Sequence, residues 1–97
     1  MAALWITRAT ITDPERYARY AALAPAAIAA YGGEFLVRGG TAVQIEGEGR
    51  PRNVVVRFPS VADAQACYNS AAYQEALAYA EGASERELVI VEMVDPA

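Results

Sequence analysis

Two segments constrain this chain most: Asn53-Val-Val-Val-Arg-Phe58 and Leu88-Val-Ile-Val-Glu-Met-Val94. Both are rich in β-branched residues and read as strands. In the first, one face carries Val54, Val56 and Phe58 and the other Val55 and Arg57. In the second, Leu88, Ile90 and Glu92 alternate with Val89, Val91 and Met93. Both faces of both strands are therefore mainly apolar. A sheet covered by helices on one side only should alternate more cleanly. The open face needs a cover, and a second copy of the same sheet is the simplest one.

The rest of the chain supplies the other elements. Leu4 to Ile11 reads as a strand. Asp13 suits a helix N-cap, Pro14 the first helical position, and Glu15 the positive end of the helix dipole. Tyr17, Tyr20, Ala21, Ala24, Ile28 and Tyr31 then recur at helical spacing. Pro25 should kink this helix or begin a second segment, and Gly32 can end it in the left-handed conformation. Glu34 to Arg38 is a short strand; Gly39-Gly40 interrupts it, either as a bulge or to let the backbone or a ligand approach closely, and Thr41 to Glu46 resumes it. Gly47 to Pro51 has hairpin-loop composition. After Phe58, Ser60 with Asp63 resembles a capping box. Asn69-Ser70 divides the second helical region, placing Ala64, Cys67 and Tyr68 before the break and Tyr73, Leu77 and Ala80 after it. Gly82 to Ser84 is a turn, and Arg86 to Val94 closes the chain as a strand. The order is β-α-β-β-α-β, an α+β ferredoxin-like pattern with an antiparallel four-stranded sheet. Closed by a second copy, it makes a dimeric α/β barrel.

A chain of 97 residues is a single domain, spanning 1–97. It buries roughly 65% of its unfolded surface. Hydrophobic residues make up 55% of it, so surplus apolar surface is again expected between subunits. The net charge is −4 with no basic cluster, which argues against nucleic acid as a partner. There is no histidine and no lysine. This excludes a serine-histidine triad, histidine-ligated haem, most zinc sites and a Schiff-base lysine, and no cofactor is expected. Cys67 is the single cysteine, so no intrachain disulfide forms, consistent with a reducing compartment. No run approaches the roughly 18 apolar residues needed to span a bilayer. The opening Met-Ala-Ala-Leu-Trp-Ile lacks the form of a signal peptide. A cytoplasmic protein without membrane contact is the expectation.

Four residues are candidates for chemistry. Arg38, beside two glycines, either presents a guanidinium to a carboxylate or phosphate ligand or pairs with Glu46 or Glu92. Glu92, in an apolar strand, either moves a proton or forms a salt bridge to Arg57 or Arg38. Tyr68 and Tyr73 either donate hydrogen bonds into a cleft or belong to the core. Arg50 and Arg52 read as a solvated surface paired with Glu46 and Glu48. Trp5 belongs to the core or to the dimer interface. Cys67 reads as a buried small hydrophobe, with no histidine to activate it.

Local patterns then carry a family resemblance from Trp5-Ile6 to Val91-Glu92. They are Thr12-Asp13-Pro14 with Tyr17 and Tyr20, Tyr31-Gly32-Gly33, Phe35-Leu36-Val37-Arg38-Gly39-Gly40, Glu46-Gly47, Arg50-Pro51-Arg52, Phe58-Pro59-Ser60, Tyr68, Ser70, Tyr73 and Glu92. With these the chain resembles the bacterial family domain of unknown function 1330, which looks like part of the dimeric α/β barrel superfamily. Similar sequences carry an arginine where this chain reads Leu77-Ala78-Tyr79-Ala80, and a glycine where it has Met93. The family has no agreed reaction, and the leading expectation is a small cytoplasmic homodimer that binds a small, acidic or aromatic molecule between sheet and helices. Barrels of this kind also support cofactor-free monooxygenase and isomerase chemistry, in which Arg38 would orient an anion, Glu92 move a proton, and Tyr68 or Tyr73 donate a hydrogen bond. A non-catalytic structural or stress-related dimer is the third possibility.

Overall fold

The computed structural model describes residues 1–94. Strand β1 (Ala3–Ile11) leads into helix α1 (Pro14–Ala30), followed by β2 (Glu34–Arg38), β3 (Arg52–Phe58), α2 (Val61–Tyr68), α3 (Ala71–Leu77) and β4 (Ser84–Glu92). The strands form one sheet in the order β2-β3-β1-β4, with every neighbouring pair antiparallel. This is the expected ferredoxin-like α+β arrangement.

The helix ends follow from the residues at them. Asp13 accepts a hydrogen bond from the Arg16 backbone N–H at 3.2 Å, with Pro14 at the start of the helix. Ser60 accepts from Asp63 N–H at 3.0 Å, and Ser70 from Tyr73 N–H at 3.2 Å. Each cap satisfies a donor that has no partner inside its own helix. Helix α1 stops in a Schellman motif. Gly32, at φ +82°, donates to the Ala29 carbonyl at 3.0 Å, and Gly33 donates to the Ile28 carbonyl at 2.9 Å. Pro25 does not divide α1 as the sequence implied. It forfeits one backbone rung, and the alanines on both sides keep the helix continuous.

Register settles the two faces. Opposite Trp5 lie Val56 on β3 and Ile90 on β4, and opposite Thr7 lie Val54 and Leu88. These side chains face the helices with Ala3 and Phe58. Trp5 is the centre of this layer: its ring meets Tyr73 edge-on at 5.0 Å, Phe58 at 5.5 Å and Tyr68 at 5.9 Å. Its indole N–H donates to Thr7 Oγ1 at 3.0 Å, so the one polar atom of the ring is satisfied where it is buried. Trp5 is thus core within the chain. Cys67 is fully buried, as its place on the apolar helix face indicated. Tyr31, by contrast, leaves the stripe of Tyr17 and Tyr20 and is exposed at the helix end. The other sheet face carries Leu4, Ile6, Val37, Val55, Val89 and Val91, and no helix or strand among the described residues packs over it.

The second glycine pair behaves differently from the expectation. The bulge in β2 falls between Phe35 and Val37, not at Gly39-Gly40. Gly39, at φ +69°, makes the last rung to β3 by donating to the Asn53 carbonyl at 2.9 Å. That left-handed residue turns the chain off the sheet, so Thr41 to Glu46 does not resume the strand. Val43 and Ile45 are 76% and 83% exposed on this arm.

The four glycines of residues 32–40 therefore differ in tolerance. At Gly33 an added Cβ would overlap Ile28 Cγ2 and stand 2.9 Å from the Ile28 carbonyl oxygen and 3.0 Å from Phe58 Cε1. At Gly40 it would meet nothing within 4 Å. In urea denaturation, Gly33→Ala should lose about 1–3 kcal/mol through overpacking, whereas Gly40→Ala should stay within about 0.5 kcal/mol of the parent.

Candidate functional site

Three elements bring one polar cluster together inside the aromatic layer. Tyr20 comes from α1, Tyr73 from α3 and Arg86 from β4. The two phenol oxygens are 2.7 Å apart, one donating to the other. Arg86 Nη2 donates to both, at 3.2 Å each. The guanidinium also lies over the Tyr20 ring, 4.7 Å from its centroid. Burial pushes the Tyr20 and Tyr73 hydroxyls above the ordinary phenol range, so both remain neutral hydrogen-bonding groups. Arg86 is always charged. Yet among the described residues no carboxylate pairs with it, and its Nε–H is buried without an acceptor.

Arg86 also lines a cleft of about 540 Å³ between α2, the end of α3 and β4. Gln65, Tyr68 and Asn69 form one wall, and Leu77, Leu88 and Ile90 give it an apolar floor. Glu81 is the one carboxylate among the lining residues. The arrangement offers a cation, amide groups and a phenol around an apolar slot. No cluster of three or more histidine, cysteine, aspartate or glutamate side chains suited to a metal is present among the described residues. No helix among them is long and apolar enough to cross a membrane.

Of the four sequence candidates, two meet here. Tyr68 is half-buried and lines the cleft. Tyr73 is fully buried behind it, their ring centroids 5.5 Å apart, with its hydroxyl in the Arg86 cluster. Arg38 and Glu92 lie elsewhere. Arg38 is on edge strand β2, exposed, with its guanidinium 4.4 Å over the Phe35 ring. Glu92 ends β4 on the opposite edge, also exposed, two residues beyond Ile90 on the helix-facing side. Three strand spacings of about 4.8 Å separate the two edges, so Arg38 and Glu92 do not pair. Arg50 reaches past Glu46 and Glu48 to Glu85 at 3.4 Å and Glu87 at 3.3 Å, and also donates to Thr10 Oγ1 at 3.1 Å. The sequence reading did not single out Arg86 or Tyr20 for the site. Strand alternation does carry the signal for Arg86, which is in phase with Leu88 and Ile90.

Burial raises the Cys67 thiol from its ordinary value of 9.0 to about 11. The unfolded chain thus releases this proton before the folded one, and stability is present below pH 9 and lost as pH rises to about 11. Tyr20 and Tyr73, shifted in the same direction, add to the fall above pH 10. Urea midpoints measured from pH 8 upward should decline from about pH 9, and Cys67→Ala should postpone the decline to the phenol range. A profile flat to pH 11 would contradict this account of the buried groups.

Comparison with known proteins now adds to the geometry. A protein of unknown function from Rhodopseudomonas palustris has a similar structure, with a TM-score of 0.78 at 17% identity, covering 98% of this chain and 84% of that one. SnoaB, a cofactor-independent oxygenase from Streptomyces nogalater, matches with a TM-score of 0.67 at 11% identity, over 99% of this chain and 98% of its own. A putative antibiotic biosynthesis monooxygenase from Nitrosomonas europaea matches at 0.57 and 14% identity, over 99% and 93%. At these identities the likeness is one of fold. No curated protein sequence matches the chain. The sequence profile of one family covers residues 2–94, nearly the whole of the domain just described. On that match, the chain belongs to the family Domain of unknown function (DUF1330).

Proposed function

We propose that this protein binds a small organic anion with an apolar or aromatic body in the cleft between α2, α3 and β4. The observation that carries the reading is Arg86. A partly buried guanidinium is costly without a counter-charge, and its cost falls when an anion accepts its remaining donors. Two neutral phenols satisfy one of its nitrogens and fix its orientation, leaving the charge uncompensated. The cleft volume lies within the range of about 300–1,000 Å³ common for small-molecule sites. Tyr68 offers a ring edge and a hydroxyl, while Gln65 and Asn69 can orient polar substituents. Tyr73 acts through Arg86 as a positioning residue.

Thermal melts with benzoate, salicylate and short aliphatic carboxylates as probes test this reading. An aromatic carboxylate should raise the melting temperature, and Arg86→Met should weaken its binding at least tenfold, or about 1.4 kcal/mol. Tyr68→Ala should weaken aromatic probes more than aliphatic ones. A shift that survives Arg86→Met unchanged would remove the anion-binding role.

A second reading, cofactor-free oxygenase or isomerase chemistry in the same cleft, is favoured by the fold shared with SnoaB. Arg86 would then take the anion-orienting role considered for Arg38. Glu92 does not line the cleft, but it follows the lining residue Ile90 by two positions on the same strand face, and would move the proton of a substrate that extends beyond it. Oxygen uptake, or solvent deuterium exchange into a bound carbonyl acid, abolished by Glu92→Gln would distinguish catalysis from binding alone.

The assembly proposed is a two-fold homodimer joined through the open sheet face. Val89 and Val91 on that face are 51% and 47% exposed in the single chain, and their neighbours there are apolar. Light scattering should give twice the chain mass, and Val89→Asp should give the monomer mass. A parent protein that scatters as a monomer would exclude this assembly.

A further inference from the structure

We propose a second, independent anion site in the small cavity under α1, formed by Arg38 and Arg52 and sized for a halide or a formate-like carboxylate. It shares no lining residue with the Arg86 cleft and does not rest on the function proposed for that cleft. Thr7, Tyr17, Tyr20 and Phe35 complete the part of its wall that matters here.

Four observations converge. First, two guanidinium-bearing residues line one cavity and no aspartate or glutamate does. Neither arginine has a carboxylate partner among the described residues. Like charges brought together in this way favour an anion between them. Second, the Arg52 Nε–H is buried without an acceptor, a cost that a bound anion would remove. Third, both guanidinium groups are held in place. That of Arg38 lies 4.4 Å over the Phe35 ring. That of Arg52 packs on Gly39, where a Cβ would stand 2.5 Å from Nη1 and 3.2 Å from Cζ. The glycine thus both makes the left-handed turn at the end of β2 and leaves room for Arg52. Fourth, the remaining polar lining is of hydroxyls. Thr7 Oγ1 already accepts from the Trp5 indole, which leaves its hydrogen to donate. The cavity offers donors and positive charge, with a volume of about 30 Å³, space for one or two water-sized atoms. The exposed Arg38 side gives access from solvent.

The test uses the intact protein at constant ionic strength, with a bulky sulfonate replaced stepwise by bromide or, in a separate arm, by formate. Saturable stabilisation by either anion is expected, and the arm that saturates at lower concentration identifies the preferred occupant. Crystals soaked in bromide should show an anomalous peak between Arg38 and Arg52. Arg52→Met should weaken the effect at least tenfold, and Arg38→Met should weaken it several-fold. Should Arg52→Met fail to fold, Arg38→Met and the anomalous peak decide the matter. No saturable gain over the sulfonate, a gain unaltered in the foldable arginine variants, or bromide found at surface positions as an adventitious ion only, would each overturn the proposal.

Discussion

The hydrogen bond between Tyr20 and Tyr73 is the contact on which the helical layer depends. It joins α1 to α3 inside an aromatic cluster, and Arg86 ties the pair to β4. A buried hydroxyl without a partner would cost more than the bond contributes, so the two phenols specify each other's position. Neither could be lost without stranding the other beside a charge. The aromatic rings around them, Trp5 above all, contribute the bulk of the burial, while this polar contact sets how the helices lie on the sheet. One consequence is that Arg86 is held rigidly at the cleft wall, and rigid donors lose little entropy when they engage a ligand.

Charge in this sheet is distributed with some economy. Arg50, Glu85, Glu87 and Thr10 form a network beside the open face, where water screens it. On the helix-facing side the cations Arg38, Arg52 and Arg86 stand without carboxylates among the described residues. Structural ion pairs would have placed glutamates opposite them in register. Instead the cross-strand neighbours are Val54 for Arg38 and Ala9 for both Arg52 and Arg86. The positive side of the sheet is thus the side with cavities. The overall negative charge of the chain conceals this local pattern.

Much of the architecture was legible in the residues. Asp13-Pro14, Ser60 and Ser70 mark helix starts because their side chains can satisfy orphan N–H groups, and all three do so. Val54 to Phe58 and Leu88 to Glu92 show their two faces by alternation, though alternation alone leaves open which face meets the helices. That depends on Trp5 and the α1 tyrosines packing together, a tertiary fact. The stretch 41–46 misled, since Val43 and Ile45 alternate as a strand would, but strand propensity without a hydrogen-bonding neighbour makes no strand. For the site, Tyr68 and Tyr73 were visible as polar-tipped aromatics near a helix break. Tyr20 was hidden within a packing stripe, and its role appears only when α3 is laid against α1. Arg38 drew attention through its glycines, while the charged residue that lines the larger cleft lay one strand phase before an apolar run.

The sheet order also bears on how the chain acquires its structure. Central strand β1 pairs with β3 and β4, so that Trp5 waits for Ile90, 85 positions later, to complete its surroundings. Helix α1 can form locally, but the strand preceding it has no partner until most of the domain has been synthesised. Such long-range closure slows folding and leaves an apolar strand uncovered in the meantime. During synthesis, Ala3–Ile11 therefore keeps apolar side chains uncovered until β3, and after it β4, follows to pair with it.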